Sequence, residues 1–236
     1  FTSHVAGSVT IYRDSYEFEG NGDGTVTFSD DGIGSFTPPQ QNVECTICIV
    51  GGGGSGSVDA RNEGQNTNRS YTGGGFAGDI VEMTIILDNT LSYEFSIGLG
   101  GESVSSRKEQ VSGKQGESSF FDGTEALGGL GGVAYESCTS DVNYAGEGQD
   151  RTTCLGTAPD GEVIRASGFD CGLKGFGGQS SGLDRGGSGN ASRNNSLDPA
   201  EDGGVASGGG GCSTLSYGEL VATSGAGGSG VIKISW

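Results

Sequence analysis

Apolar residues along this chain come in short alternating or continuous runs, and nearly every run ends in a polar turn or a block of glycine. Val9 and Ile11, Tyr16 and Phe18, and Val26 and Phe28 are each spaced two apart, with the turn Glu19-Gly-Asn-Gly-Asp-Gly24 among them. Two or three short strands are therefore predicted before residue 31. Val43–Val50 is an apolar, β-branched run that stops in Gly51-Gly52-Gly53-Gly54. Ile80–Leu87 is almost continuously apolar, which predicts a strand covered on both faces. After the turn Asp88-Asn89-Thr90, residues Leu91, Tyr93, Phe95 and Ile97 alternate with Ser92, Glu94 and Ser96. Residues 79–98 thus read as a hairpin. The last residues, 231–236, alternate again and are apolar enough to return to the core beside Val43–Val50.

Between these runs the pattern changes character. Ser35-Phe36-Thr37-Pro38-Pro39 interrupts it, since proline cannot donate to a sheet ladder. Residues 57–72 are polar and read as an exposed loop. From 98 to 230 only islands such as 118–121, 132–135 and 162–165 interrupt Gly, Ser and Asp. A segment so poor in apolar side chains builds no ordinary core. It has to be held by hydrogen bonds between glycine backbones that approach closely, together with disulfides. The chain contains 50 Gly but only 4 Pro and no Gly-X-Y period, which excludes collagen.

Charge and cysteines narrow the class. The 30 acidic against 12 basic residues give a net charge of -18, which disfavours nucleic acid and anionic membranes as partners. No apolar run is long enough for a membrane-spanning helix. Cys45, Cys48, Cys138, Cys154, Cys171 and Cys212 are even in number and show no repeated C-x-x-C pair, so they are expected to form disulfides between loops. The sequons at Asn68, Asn190 and Asn194 lie in polar, loop-like sequence and are candidate glycosylation sites. A start at Phe1 instead of Met fits a processed, exported chain. The expected location is extracellular, on a cell or virion surface.

Candidate chemistry is sparse. Gly51-x-Gly53-x-x-Gly56 follows a strand, but no amphipathic helix follows to hold a pyrophosphate, so a dinucleotide site is not expected. Glu19, Asn21, Asp23 and Asp30 have the spacing of a calcium loop, on strand flanks instead of helices; calcium is the one cofactor with a candidate site. His4 is the lone histidine, in a segment that reads as surface. Cys45 and Cys48 point to opposite faces of one strand and cannot jointly hold a metal. No acid–base pair stands out, and an enzyme is not expected.

Taken as ordered blocks, Ser35-Phe-Thr-Pro-Pro, Glu44-Cys-Thr-Ile-Cys-Ile-Val-Gly-Gly-Gly-Gly, Gly73-Gly-Gly-Phe-Ala-Gly-Asp-Ile, Leu91-Ser-Tyr-Glu-Phe-Ser-Ile-Gly-Leu-Gly-Gly, Gly116-Glu-Ser-Ser-Phe and Gly227-Gly-Ser-Gly-Val-Ile-Lys-Ile-Ser resemble the glycine-rich domain of bacteriophage tail proteins. They are also similar to the glycine-rich ectodomain of anaplastic lymphoma kinase. The resemblance spans about residues 33–236 and implies an all-β, jelly-roll or TNF-like β-sandwich with long glycine-rich loops packed as polyglycine II helices. It carries over no functional residue. Residues 1–31 then stand as an N-terminal strand segment before a glycine-rich β-sandwich domain at 32–236. An exposed N-terminal strand is a pairing surface for another chain. The expected function is a structural subunit of an extracellular filament, a homo-oligomer assembled by N-terminal strand exchange. The alternative is an adhesin or receptor-type module binding glycan or protein.

Overall fold

The computed structural model describes residues 6–20, 24–29, 32–60, 71–135, 152–153, 156–157, 186–192, 198–214 and 220–236. Its main strands are β1 (Gly7–Ile11), β2 (Tyr16–Gly20), β3 (Thr25–Ser29), β4 (Ile33–Thr37), β5 (Val43–Val50), β6 (Ile80–Leu87), β7 (Tyr93–Ser96), β8 (Ser119–Phe121), β9 (Thr124–Ala126) and β10 (Val231–Ser235). They form two five-stranded antiparallel sheets, in the orders β2-β1-β10-β5-β6 and β9-β8-β7-β4-β3. Short two- and three-residue strands elsewhere link the glycine-rich region. No described residue lies in an α-helix, and among the described residues no helix is long and apolar enough to cross a membrane.

Period-two patterning supplies the core. Val43, Cys45, Ile47 and Ile49 of β5, Val9 and Ile11 of β1, and Ile232 and Ile234 of β10 turn one face inward, where they meet Phe36, Phe95 and Phe121 from the second sheet. Each such side chain, fully buried, contributes about 1.5–3 kcal/mol. Trp236 lies between the sheets, with its ring 5.8 Å from Phe36 and 6.4 Å from Phe18. The result is an all-β fold, as the strand pattern predicted, and of the sandwich type that the resemblance implied. The C-terminal strand pairs with β5 as expected, from Val231↔Val50 to Ser235↔Thr46.

Two local expectations are corrected. Residues 79–98 are not a hairpin: β6 pairs with β5, whereas β7 pairs with β4 and β8 in the other sheet. The turn at Asp88 carries the chain across the sandwich, and the Tyr93 hydroxyl accepts a hydrogen bond from the Asp88 amide at 2.8 Å. Alternation tells which face a strand buries but not which neighbour it takes. Nor is β6 covered on both faces. It is the edge of its sheet, with Val81, Met83 and Ile85 packed on the core while Glu82, Thr84 and Ile86 face solvent.

The N-terminal segment is part of this architecture. β1 lies between β2 and β10, with Val9 and Ile11 fully buried, so it is an interior strand of its sheet.

Candidate functional site

Beyond β5 the chain enters residues 51–57, fully buried and carrying no side chain larger than serine. Their hydrogen bonds follow a period of three. Gly51, Gly54 and Ser57 donate to the carbonyls of Asp79 (3.0 Å), Phe76 (2.8 Å) and Gly73 (3.0 Å). Gly52 and Ser55 donate to Glu117 (3.0 Å) and Lys114 (2.9 Å), and Gly53 and Gly56 to Gly228 (2.8 Å) and Gly225 (3.0 Å). Acceptor numbers fall by three as donor numbers rise by three, so all three neighbours run antiparallel.

The carbonyls point to other neighbours. Gly52 and Ser55 accept from Gly129 and Gly132, both at 2.8 Å; Gly54 and Ser57 accept from Gly209 and Cys212, both at 3.0 Å; Gly53 accepts from Gly101 at 2.8 Å. One extended segment is thereby surrounded by backbones on all sides. None of these bonds lies within the segment, which is the pattern of a threefold extended helix in a lateral array. The surrounding segments bond to one another too: Gly75 donates to Gly209, Gly116 to Gly129 and Gly227 to Gly101.

Glycine is required here by proximity. A Cβ on Gly53 would stand 2.0 Å from the Ser207 carbonyl oxygen, and one on Gly56 2.0 Å from that of Gly210. The two serines sit where a hydroxyl finds a partner: Ser55 Oγ accepts from the Lys114 amide at 2.8 Å, and Ser57 Oγ accepts from the Gly73 amide at 3.0 Å. With every amide from 51 to 57 committed to a protein carbonyl, the formal dinucleotide pattern at Gly51, Gly53 and Gly56 has no donor left for a phosphate.

The remaining candidate residues are scattered. Cys45 lies in the sandwich core and Cys48 on the opposite face, against Val50, Ala206 and Val231, as their spacing predicted. Cys45 and Cys212 are buried free thiols, which corrects the expectation that both form disulfides. Each sits on a strand among apolar neighbours, and burial pushes both up to about 11, where they are inert at neutral pH. Cys48 is disulfide-bonded; Cys138, Cys154 and Cys171 lie outside the described residues. Of the calcium candidates, Glu19 is exposed on β2 opposite Ser8, while Asn21, Asp23 and Asp30 lie outside the described residues, as does His4.

Asn68 and Asn194 also lie outside the described residues. Asn190 is placed, but in a short strand, Asn190–Ser192, paired with Cys212–Thr214, and not in a loop. Its Nδ2 donates to the Asp198 carbonyl at 2.8 Å. The sequence pattern did not point to Asp59, a fully buried carboxylate whose Oδ2 accepts from Gln110 Nε2 at 2.9 Å. Its neighbour Val58 marks a short strand too brief for periodicity to reveal.

Compared with known proteins, the chain matches the model of a glycine-rich domain over residues 27–236. The chain belongs to this glycine-rich domain family. No curated protein matches it in sequence. The matched part of the glycine-rich domain starts within β3, earlier than the block at residue 33 suggested, and takes in the whole central array with the tracts that surround it. β1 and β2 precede it.

Proposed function

We propose that this glycine-rich domain protein is a structural subunit of an extracellular filament, in which the N-terminal strand of one copy completes the sandwich of the next. The observation that carries the reading is the place of β1. It precedes the family match, yet its Val9 and Ile11 fill the core beside β10. Without it, β10 would present a sheet edge and an uncovered apolar face. Exchange of β1 between copies preserves every one of these contacts while linking subunits, the general logic of strand swapping. An acidic, glycine-knit body suits a stiff and soluble building block. The disulfide at Cys48 and the sequons at Asn68 and Asn194 support an exported chain.

A covalent lock tests this. Gly7 and Trp236 exchange hydrogen bonds in both directions, at 3.0 and 2.9 Å, so the adjacent pair Ser8↔Ser235 is of the closer, non-bonded type that a disulfide can span. Ser8→Cys with Ser235→Cys, once oxidised within one chain, is expected to form no filaments by electron microscopy and to polymerise on reduction. Filaments built from chains that retain the internal bond would rule out strand exchange.

A second reading, a binding module for glycan or protein, is favoured by an open groove of about 990 Å³ where the sandwich meets the glycine array. It is lined by Tyr12, Arg13, Asp14, Phe28 and Gly203 among others. Selective retention on a glycan array, lost in Tyr12→Ala, would support that reading.

A further inference from the structure

The long strand β6 closes its sheet at the side opposite β2. The hydrogen-bond phase of the sheet shows which of its backbone groups are used. Gly51 donates to Asp79, which continues the β5–β6 ladder and makes Ile49↔Val81, Ile47↔Met83, Cys45↔Ile85 and Val43↔Leu87 the bonded pairs. The N–H and C=O groups of Ile80, Glu82, Thr84 and Ile86 therefore point away from β5, toward the sheet's open side. Ile86 is 66% exposed.

Such an edge invites another strand, and proteins usually guard it with charge, proline or a bulge. In a chain of net charge -18, β6 carries one charged residue, Glu82, and no proline. The opposite edge strand β2 is shorter and carries Glu17 and Glu19.

We propose that β6 is a self-association edge, pairing antiparallel with β6 of a second copy about a twofold axis at Met83. The sequence of the strand fits itself in that register. Outward-pointing backbone groups of Ile80, Glu82, Thr84 and Ile86 meet those of the partner's Ile86, Thr84, Glu82 and Ile80. Glu82 faces the partner's Thr84 and not a second carboxylate, so the seam holds no like-charge pair. Ile86 gains an apolar partner in Ile80, and the half-buried inner row of Val81, Met83 and Ile85 meets the partner's Ile85, Met83 and Val81. A shift that sets Glu82 against the partner's Glu82 is penalised. The sheet would then run unbroken through both copies. This contact uses the edge away from β1 and does not depend on N-terminal exchange.

Sedimentation of the 236-residue chain with the Ser8→Cys/Ser235→Cys bond closed isolates the seam, and a reversible dimer is expected. Thr84→Pro deletes one edge-facing N–H while leaving the ladder to β5 intact. It should weaken the dimer roughly thirtyfold, the effect of losing two symmetry-related hydrogen bonds. Thr84→Lys places an ammonium opposite the partner's Glu82 and should preserve the dimer. Glu82→Lys combined with Thr84→Lys sets lysine against lysine and should abolish it. A monomer at every concentration, or a dimer indifferent to both the proline and the double-lysine variants, overturns the proposal.

Discussion

The amide of Gly53 donates to the carbonyl of Gly228 at 2.8 Å, joining two stretches far apart in the chain at a point where neither has a side chain. Around this contact the protein replaces side-chain packing with main-chain packing. Each bond contributes only about 1 kcal/mol net, but leaving a buried amide unpaired costs more than that. The array is consequently cooperative, because one displaced backbone strands the partners of its neighbours.

Alanine at the centre should be poorly tolerated. Gly53→Ala would drive a methyl to within 2.0 Å of the Ser207 oxygen, and overpacking against backbone should cost ~3 kcal/mol or more. Gly123→Ala is the comparison: its Cβ would meet nothing, and only its positive φ of 82° is strained, at ~1–2 kcal/mol. Urea unfolding should separate the two, and a Gly53→Ala midpoint equal to the parent's would show that close approach is not what holds the array.

Amide exchange should find the array as slow as the sandwich. Amides of residues 51–57 are fully buried and paired, so they are expected to exchange with the protection of Ile47 and Ile49. Exchange of 51–57 in seconds while β5 stays protected would mean that the array opens independently.

The two buried thiols set a limit at high pH. Cys45 and Cys212 would ionise near 9.0 in the unfolded chain but near 11 when folded, because burial disfavours the thiolate. Stability is thus fully present below pH 9 and declines as pH rises toward 11, by at most ~3 kcal/mol per thiol. Cys45→Ala and Cys212→Ala should each flatten that decline in denaturant titrations; an unchanged pH slope in both would contradict it.

At low pH the turn between the sheets should respond. The Asp88 carboxylate accepts from the Thr90 amide and hydroxyl, both at 2.8 Å, which holds it below its ordinary 3.8. Its contribution is present above 3.8 and lost as pH falls through the lower folded value. Thermal midpoints of the parent and Asp88→Ala should differ at pH 7 and converge in acid. A constant gap would mean that the charge plays no part.

Alternation of residues such as Val9 and Ile11, or Ile232 and Ile234, was enough by itself to determine that this is an all-β protein, that these four side chains share its core, and that its end returns beside Val43–Val50. Runs of glycine foretold close main-chain contact, because no other residue permits it. The tertiary structure alone decided partners. It sent Tyr93 to the opposite sheet from Leu87, put β6 at an edge despite its apolar composition, left Cys45 and Cys212 unbridged, and chose which carbonyl each glycine amide would meet. The physical reason is the same in each case: a side chain's polarity records whether it is buried, whereas a backbone amide is identical at every residue, so its choice of a distant carbonyl is set by the packing of the whole chain.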